Sequence, residues 1–171
     1  MELAERREFL KDNIRQQTDF SRTGQARGKK PPPVQKPPPE DAEKIELPSS
    51  DAWEDFAEMS LLDAIANRQS RRTPTRGDLS LAELSFLLWC TQGVRSAQSR
   101  FQAFRVVPSA GCRHAFETYV GHVGQNLYLA CEAVGCGTCA IGAYGQQLSD
   151  DLVGVDGEEE FTIYMAPVTR V

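Results

Sequence analysis

The sequence has no apolar run near the roughly 18 residues a bilayer-crossing helix needs, so no membrane span is expected. It has no surplus of positive charge either. Nineteen Lys and Arg stand against 24 Asp and Glu, for a formal net charge of -5. General nucleic-acid binding is therefore not expected, because only local patches could offset phosphate repulsion. Histidine is scarce, with His114 and His122 alone, and neither lies in a Ser or Cys arrangement typical of a nucleophile with its base. Cysteine is present but odd in number, at 90, 112, 131, 136 and 139. The N-terminal MELAERREFLKD is charged and lacks the apolar centre of a signal peptide. Together these point to a cytoplasmic protein with reduced thiols and away from a disulfide framework. No internal repeat is visible.

What is there is enough for one domain with its own core, since the chain has 171 residues of ordinary apolar content. Residues 1–50 read as an arm: a short helical pattern around Phe9, Ile14 and Phe20, then GKKPPPVQKPPPE, a polyproline II stretch. That stretch reads as a spacer, with a ligand for a proline-binding module as the other reading. Residues 51–171 form the domain. SLLDAIANR (Ser60–Arg68) is helical. Ser80 and Glu83 form a capping box before LAELSFLLWCTQ, whose Leu84, Leu87, Leu88 and Thr91 share a face that ends at Gly93. Residues 94–104 read as a polar loop. Phe104–Val107 and Phe116–Val120 read as strands, Gln147–Val153 as a short helix and Phe161–Ala166 as a closing strand. The fold class expected is α+β, an antiparallel-rich sheet flanked by helices.

Gly121 to Gly145, GHVGQNLYLACEAVGCGTCAIGAYG, carries the most information. Val123, Leu127, Ala130, Cys131 and Val134 recur at helical spacing as one apolar stripe, and Gly135 supplies a left-handed cap. After the cap, TCAIGAY packs small residues around Gly142. Main chain with so little side chain lets a flat ligand approach closely. Such a site also needs a phosphate-binding partner, and Arg68-Gln69-Ser70-Arg71-Arg72 is the candidate. Arg68 and Arg72 share a face if the helix continues, and two guanidinium forks with the Ser70 hydroxyl suit a phosphate monoester. A basic surface segment is the plainer reading of the same residues.

The remaining chemistry-bearing residues read more blandly. Cys131, Cys136 and Cys139 have the spacing of three iron–sulfur ligands, but no fourth cysteine follows and Cys131 sits in the apolar stripe. Small packing residues are the better account, so no metal is expected. His114 and His122 read as solvent-facing or satisfied. Asp150-Asp151 and Glu158–Glu160 read as helix-terminal charge and a solvated acidic turn.

Taken in order, RQSRR (Arg68–Arg72), LSLAELSFLLWCTQG (Leu79–Gly93), VPSAG-x-x-H (Val107–His114), NLYLACEAVGCGTCAIGAY (Asn126–Tyr144) and LVGVDGEEEFTIYMAPV (Leu152–Val168) resemble the nitroreductase family. The nearest branch is similar to the dehydrogenases that oxidise thiazoline and oxazoline rings in peptide maturation. The resemblance implies a cytoplasmic flavoprotein oxidoreductase. It would be a homodimer holding FMN between subunits, with hydride passing between flavin N5 and NAD(P)H or a small organic or peptide-ring substrate. By matching motif positions it implies that Arg68, Ser70 and Arg72 hold the FMN phosphate and ribityl chain, with Gln69 a neighbouring contact. Pro108, Ser109 and Ala110 match the turn meeting the flavin ring, and Ile141 and Gly142 the backbone lying against it. Arg170 matches a late basic residue that also reaches the phosphate. No protein acid or base is implied, because flavin carries the redox chemistry.

One departure from the family is large. Full-length members carry a long segment between the strand matching Phe116–Val120 and the helix matching Gly121–Val134, whereas here Val120 abuts Gly121. The expectation is an internally shortened domain with an apparent deletion near 120/121, a local bend or lost strand there, and an exposed apolar patch. A catalytically inactive flavin-binding remnant, or a subunit that completes a partner, is the alternative function.

Overall fold

A computed structural model describes residues 16–30, 37–54, 58–73, 77–99, 102–107 and 116–171, with the backbone alone for 102 and 116–121. The chain divides into two units, Met1–Lys36 and Pro37–Val171. The described part of the first holds one 3-10 turn, Phe20–Arg22. Asp19 caps it, its carboxylate accepting from the Ser21 N–H at 3.1 Å and the Ser21 hydroxyl at 2.6 Å.

The second unit contains helices α1 (Leu61–Asn67), α2 (Leu81–Gln92), α3 (Phe116–Ala133) and α4 (Gln146–Val153). Its strands are β1 (Val94–Ser99), β2 (Gln102–Arg105), β3 (Cys136–Thr138) and β4 (Val168–Arg170). β1 pairs antiparallel with β2, and β3 with β4, so the antiparallel α+β class expected from the sequence is what forms. In the β3–β4 register Cys136 faces Arg170, Gly137 faces Thr169 and Thr138 faces Val168.

The helix starts follow local chemistry. The Ser60 hydroxyl accepts from the Asp63 N–H at 3.0 Å and opens α1. At α2 the Ser80 hydroxyl accepts from the Glu83 N–H while the Glu83 carboxylate accepts from the Ser80 N–H, a complete capping box. α3 ends where Gly135 takes φ +64°, the left-handed conformation a side chain would resist.

The core sits where α2, α3 and the β3–β4 pair meet. Leu87, Ala130, Cys131, Val134 and Cys136 are buried together, and Leu79, Phe86, Cys90, Leu127 and Val168 pack around them. The stripe read on α3 is therefore the face that packs inward. The face read on α2 packs inward only at Leu87 and Thr91. α2 buries Glu83, Ser85, Leu87 and Thr91, and leaves Leu84 and Leu88 exposed at 39% and 47%. Each buried polar group has a tertiary or local partner: Glu83 meets Arg170, the Ser85 hydroxyl donates to the Pro48 carbonyl at 2.6 Å, and Thr91 donates to the Leu87 carbonyl. A polar residue so satisfied costs little to bury.

Three local expectations are corrected. Phe116–Val120 is helix, the first turns of α3, so no strand runs into a helix at Val120. Residues 94–99 and 102–104 are strand and not loop: β1 pairs antiparallel with β2 and is exposed along nearly its whole length, so the sequence shows no two-residue alternation there. Phe161–Ala166 is not the closing strand. Only Met165 bridges, to Ile141, and β4 takes the pairing role two residues later.

Candidate functional site

The site is built where the segment after α1 crosses α3 and the end of β3. α1 stops at Asn67, so Arg68 and Arg72 do not share a helix face; the chain leaves Arg68 extended. Ser70 bridges to Thr138 in parallel, and the Arg71 N–H donates to the Thr138 carbonyl at 3.0 Å, which docks the segment along β3. Alternation then separates the side chains. Arg71 turns inward and donates through one Nη to both Glu132 carboxylate oxygens, at 3.1 and 3.0 Å. Arg68 and Ser70 face Tyr128: the Arg68 guanidinium lies 5.3 Å from the Tyr128 ring centroid, and the Ser70 and Tyr128 hydroxyls are 2.9 Å apart. Arg68, Gln69, Ser70 and Arg72 are all exposed.

The opposite wall is the chain leaving β3. The Ala140 N–H donates to the Tyr128 hydroxyl at 2.9 Å, and Ile141 exchanges backbone hydrogen bonds with Met165 at 2.8 and 3.4 Å. Gly142 follows, exposed, and a Cβ built there would meet nothing within 4 Å. Gly137 is the contrary case: an added Cβ would lie 2.5 Å from both Arg71 Cβ and Val171 Cγ1, so glycine lets the Arg71 segment and the chain end close over β3.

Arg170 is engaged elsewhere. Its guanidinium donates to the Glu83 carboxylate at 2.7 Å and to the Val134 and Asp78 carbonyls at 2.8 and 3.3 Å. It joins β4 to the start of α2, away from the Arg68–Ser70 pair in its bonding. Pro108, Ser109 and Ala110 lie outside the described residues, as do Cys112 and His114. The structure thus gathers Arg68 and Ser70 on one tyrosine, and joins Ser70 through that tyrosine to the residue preceding Ile141 and Gly142.

Tyr128 itself was not among the residues singled out in the sequence. Its signal was weak but present: Gly124, Tyr128 and Glu132 are spaced i, i+4, i+8 beside the apolar stripe, a second face of α3. Tyr164 belongs to the same wall. A Cβ at Gly124 would lie 3.3 Å from the Tyr164 hydroxyl, and burial, with Tyr128 and Cys139 nearby, pushes the Tyr164 phenol up. Burial also pushes the Cys131 thiol up to about 12, with Cys136, Glu132 and Cys90 adding to the shift. Among the described residues no three His, Cys, Asp or Glu side chains converge as metal ligands. Nor is any helix of the described residues long and apolar enough to cross a membrane. A separate open groove of about 680 Å³ runs between Leu47–Trp53 and α2, walled by Trp53, Phe86 and Trp89.

No family model and no curated protein matches the chain. Among solved structures, it is similar to a crystal structure from Ralstonia eutropha JMP134 that carries the provisional name nitroreductase. The two are 19% identical, with a TM-score of 0.61 over 82% of this chain and 97% of that one. At that identity the likeness bears on architecture, and the fold is nitroreductase-like.

Proposed function

We propose that this chain is an FMN-dependent oxidoreductase of nitroreductase type. It would pass hydride between flavin N5 and NAD(P)H or a small organic or peptide-ring substrate. One observation carries the reading: the Tyr128 hydroxyl joins Ser70, in the cationic segment, to Ala140, the residue before the bare Ile141-Gly142 backbone. A phosphate needs the first and a flat ring the second, and one side chain brings them together. The fold likeness supports the same reading.

The residues present fit the cofactor. Arg68, Ser70 and Arg72 are exposed cation and hydroxyl donors of the kind a phosphate monoester accepts from, with Gln69 beside them. The empty space beside Gly142, where a Cβ would touch nothing, suits a ring laid against main chain. Arg170 fits less well, since a phosphate there would have to compete with Glu83 at 2.7 Å. When bound, FMN would supply the hydride chemistry. The protein would orient it: Arg68, held over the Tyr128 ring, and Arg72 would balance the phosphate charge, and Ile141 and Gly142 would present backbone to the ring.

A homodimer is part of the proposal, and so is a shortened domain within the thiazoline- and oxazoline-oxidising branch. Exposed apolar side chains support the dimer and the shortening, though not the branch: Leu61 and Leu62 on α1, at 66% and 75%, and Leu148 and Leu152 on α4, at 77% and 76%, have faces a second subunit or a longer chain would cover. The same exposure favours the alternative, a flavin-binding subunit that is inactive alone.

Purified protein incubated with FMN and desalted gives the test. A retained yellow chromophore that NADH or NADPH bleaches supports the enzyme. Retained flavin that neither nicotinamide nor a thiazoline- or oxazoline-containing peptide reduces supports the inactive subunit. Protein that stays colourless refutes flavin binding.

A further inference from the structure

Resting on the FMN reading, we propose that Tyr128 is the positioning residue that makes Ser70 a directed donor for the flavin phosphate. Hydrogen bonds to Ser70 and Ala140 meet at the Tyr128 oxygen. The Ala140 N–H can only donate, so the Tyr128 hydroxyl accepts from it at 2.9 Å. The Ser70 oxygen lies equally close, at 2.9 Å, where either hydroxyl can donate, and in the proposed arrangement the phenolic proton goes to Ser70. A serine hydroxyl that accepts in this way keeps its own proton free. Ser70 is exposed, so that proton turns outward, on the side where Arg68 is held over the Tyr128 ring. A donor beside a guanidinium is what an anionic oxygen needs, and a neutral ligand lacking phosphate gains little from it.

The main chain on either side of this hydroxyl is anchored. Ala140 is held on its far side by the Ile141–Met165 pairing, and Ser70 by its bridge to Thr138 and the Arg71–Thr138 bond. Both backbones are thus held by pairings of their own, and Tyr128→Phe removes only the phenol oxygen while keeping the ring beneath Arg68.

The experiment compares FMN with riboflavin, which has the same ring and no phosphate, by quenching of flavin fluorescence. It uses the full chain as wild type, Tyr128→Phe, Ser70→Ala and the double variant. The expected result is FMN affinity about tenfold lower in Tyr128→Phe, riboflavin affinity within about twofold, and a double variant no weaker than Ser70→Ala alone. Faster hydrogen exchange at the Ala140 amide of flavin-free Tyr128→Phe is expected alongside. Equal losses for both flavins would mark Tyr128 as a merely structural residue and overturn the inference. So would an unaltered Tyr128→Phe, or additive losses in the double variant. Wild type that binds neither flavin refutes the flavin reading itself, an outcome separate from wild-type binding that Tyr128→Phe leaves intact.

Discussion

Arg170 donates to the Glu83 carboxylate at 2.7 Å, tying the last strand to the first turn of α2 across 87 residues of sequence. The same carboxylate closes the capping box by accepting from the Ser80 N–H at 2.8 Å. One side chain thus serves a local and a long-range bond, and its protonation weakens both. Burial pushes the Glu83 carboxyl up, but the Ser80 N–H and the Arg170 guanidinium outweigh it and hold the group below its ordinary value of 4.5. Asp150 is held low as well, first by the Thr162 N–H at 2.6 Å and also by Gln146, against the opposing effect of burial.

The pH dependence follows in sign. A carboxyl whose folded value is lowered stabilises the fold fully above its unfolded value, and that stability is lost as pH falls through the folded one. Thermal unfolding should therefore show a midpoint that is level near neutrality and falls below about pH 4.5, the ordinary value for Glu83. Glu83→Gln keeps a capping-box side chain while removing the charge, so its midpoint should be lower at pH 7 and less dependent on acid. A variant with the wild-type acid profile would show that Glu83 does not carry the effect.

Two glycines should answer oppositely to the same substitution. At Gly137 an added methyl meets Arg71 Cβ and Val171 Cγ1 at 2.5 Å, so Gly137→Ala should cost about 1–3 kcal/mol in denaturant unfolding. At Gly142 the methyl meets nothing, and stability should stay within about 0.5 kcal/mol. If the flavin ring lies there, Gly142→Ala should still weaken FMN binding, on the order of tenfold. Unchanged affinity would move the ring away from Gly142.

These contrasts show where the sequence was legible. The α3 stripe could be read because Ala130, Cys131 and Val134 are apolar and inward, so pattern and burial agree. The capping box and the Gly135 cap could be read because each is a local bond or a backbone angle. The α2 face could be read only at Leu87 and Thr91, because Glu83 and Ser85 are buried by partners 87 and 37 residues away, and no periodicity records those. The β1–β2 pair was hidden for the opposite reason: β1 lies against almost nothing, so neither face selects apolar residues. At the site, the cationic segment and the glycine were visible as residue types. Their link was not, because it runs through Tyr128, 58 residues from Ser70.

Cys90, Cys131 and Cys136 should be slow to react while the protein is folded. The thiolate is the reactive form, and burial pushes Cys131 to about 12 and Cys90 to about 11, while Cys136 is also raised. Iodoacetamide at pH 8, followed by peptide mass mapping, should leave Cys131 and Cys136 unmodified over a time that fully modifies the chain in urea. Rapid native labelling of Cys131 would mean that α3 opens readily from the core.

The neighbouring arginines of RQSRR should separate stability from binding. Arg71 donates to both oxygens of Glu132, a carboxylate side chain only 8% exposed, so Arg71→Ala leaves a nearly buried charge without its cation. Charged hydrogen bonds of this kind suggest a loss of about 2 kcal/mol in unfolding free energy. Arg72 is exposed and should be dispensable for folding, within about 0.5 kcal/mol. If Arg72 donates to the flavin phosphate, Arg72→Ala should weaken FMN binding by about 1.5–3 kcal/mol and riboflavin binding far less. Titrating both flavins into both variants separates the roles, because Arg71→Ala should lower affinity for the two alike as the docked segment loosens. Equal behaviour of Arg72→Ala and wild type toward FMN would remove Arg72 from the site and leave Arg68 and Ser70 as its anion-binding pair.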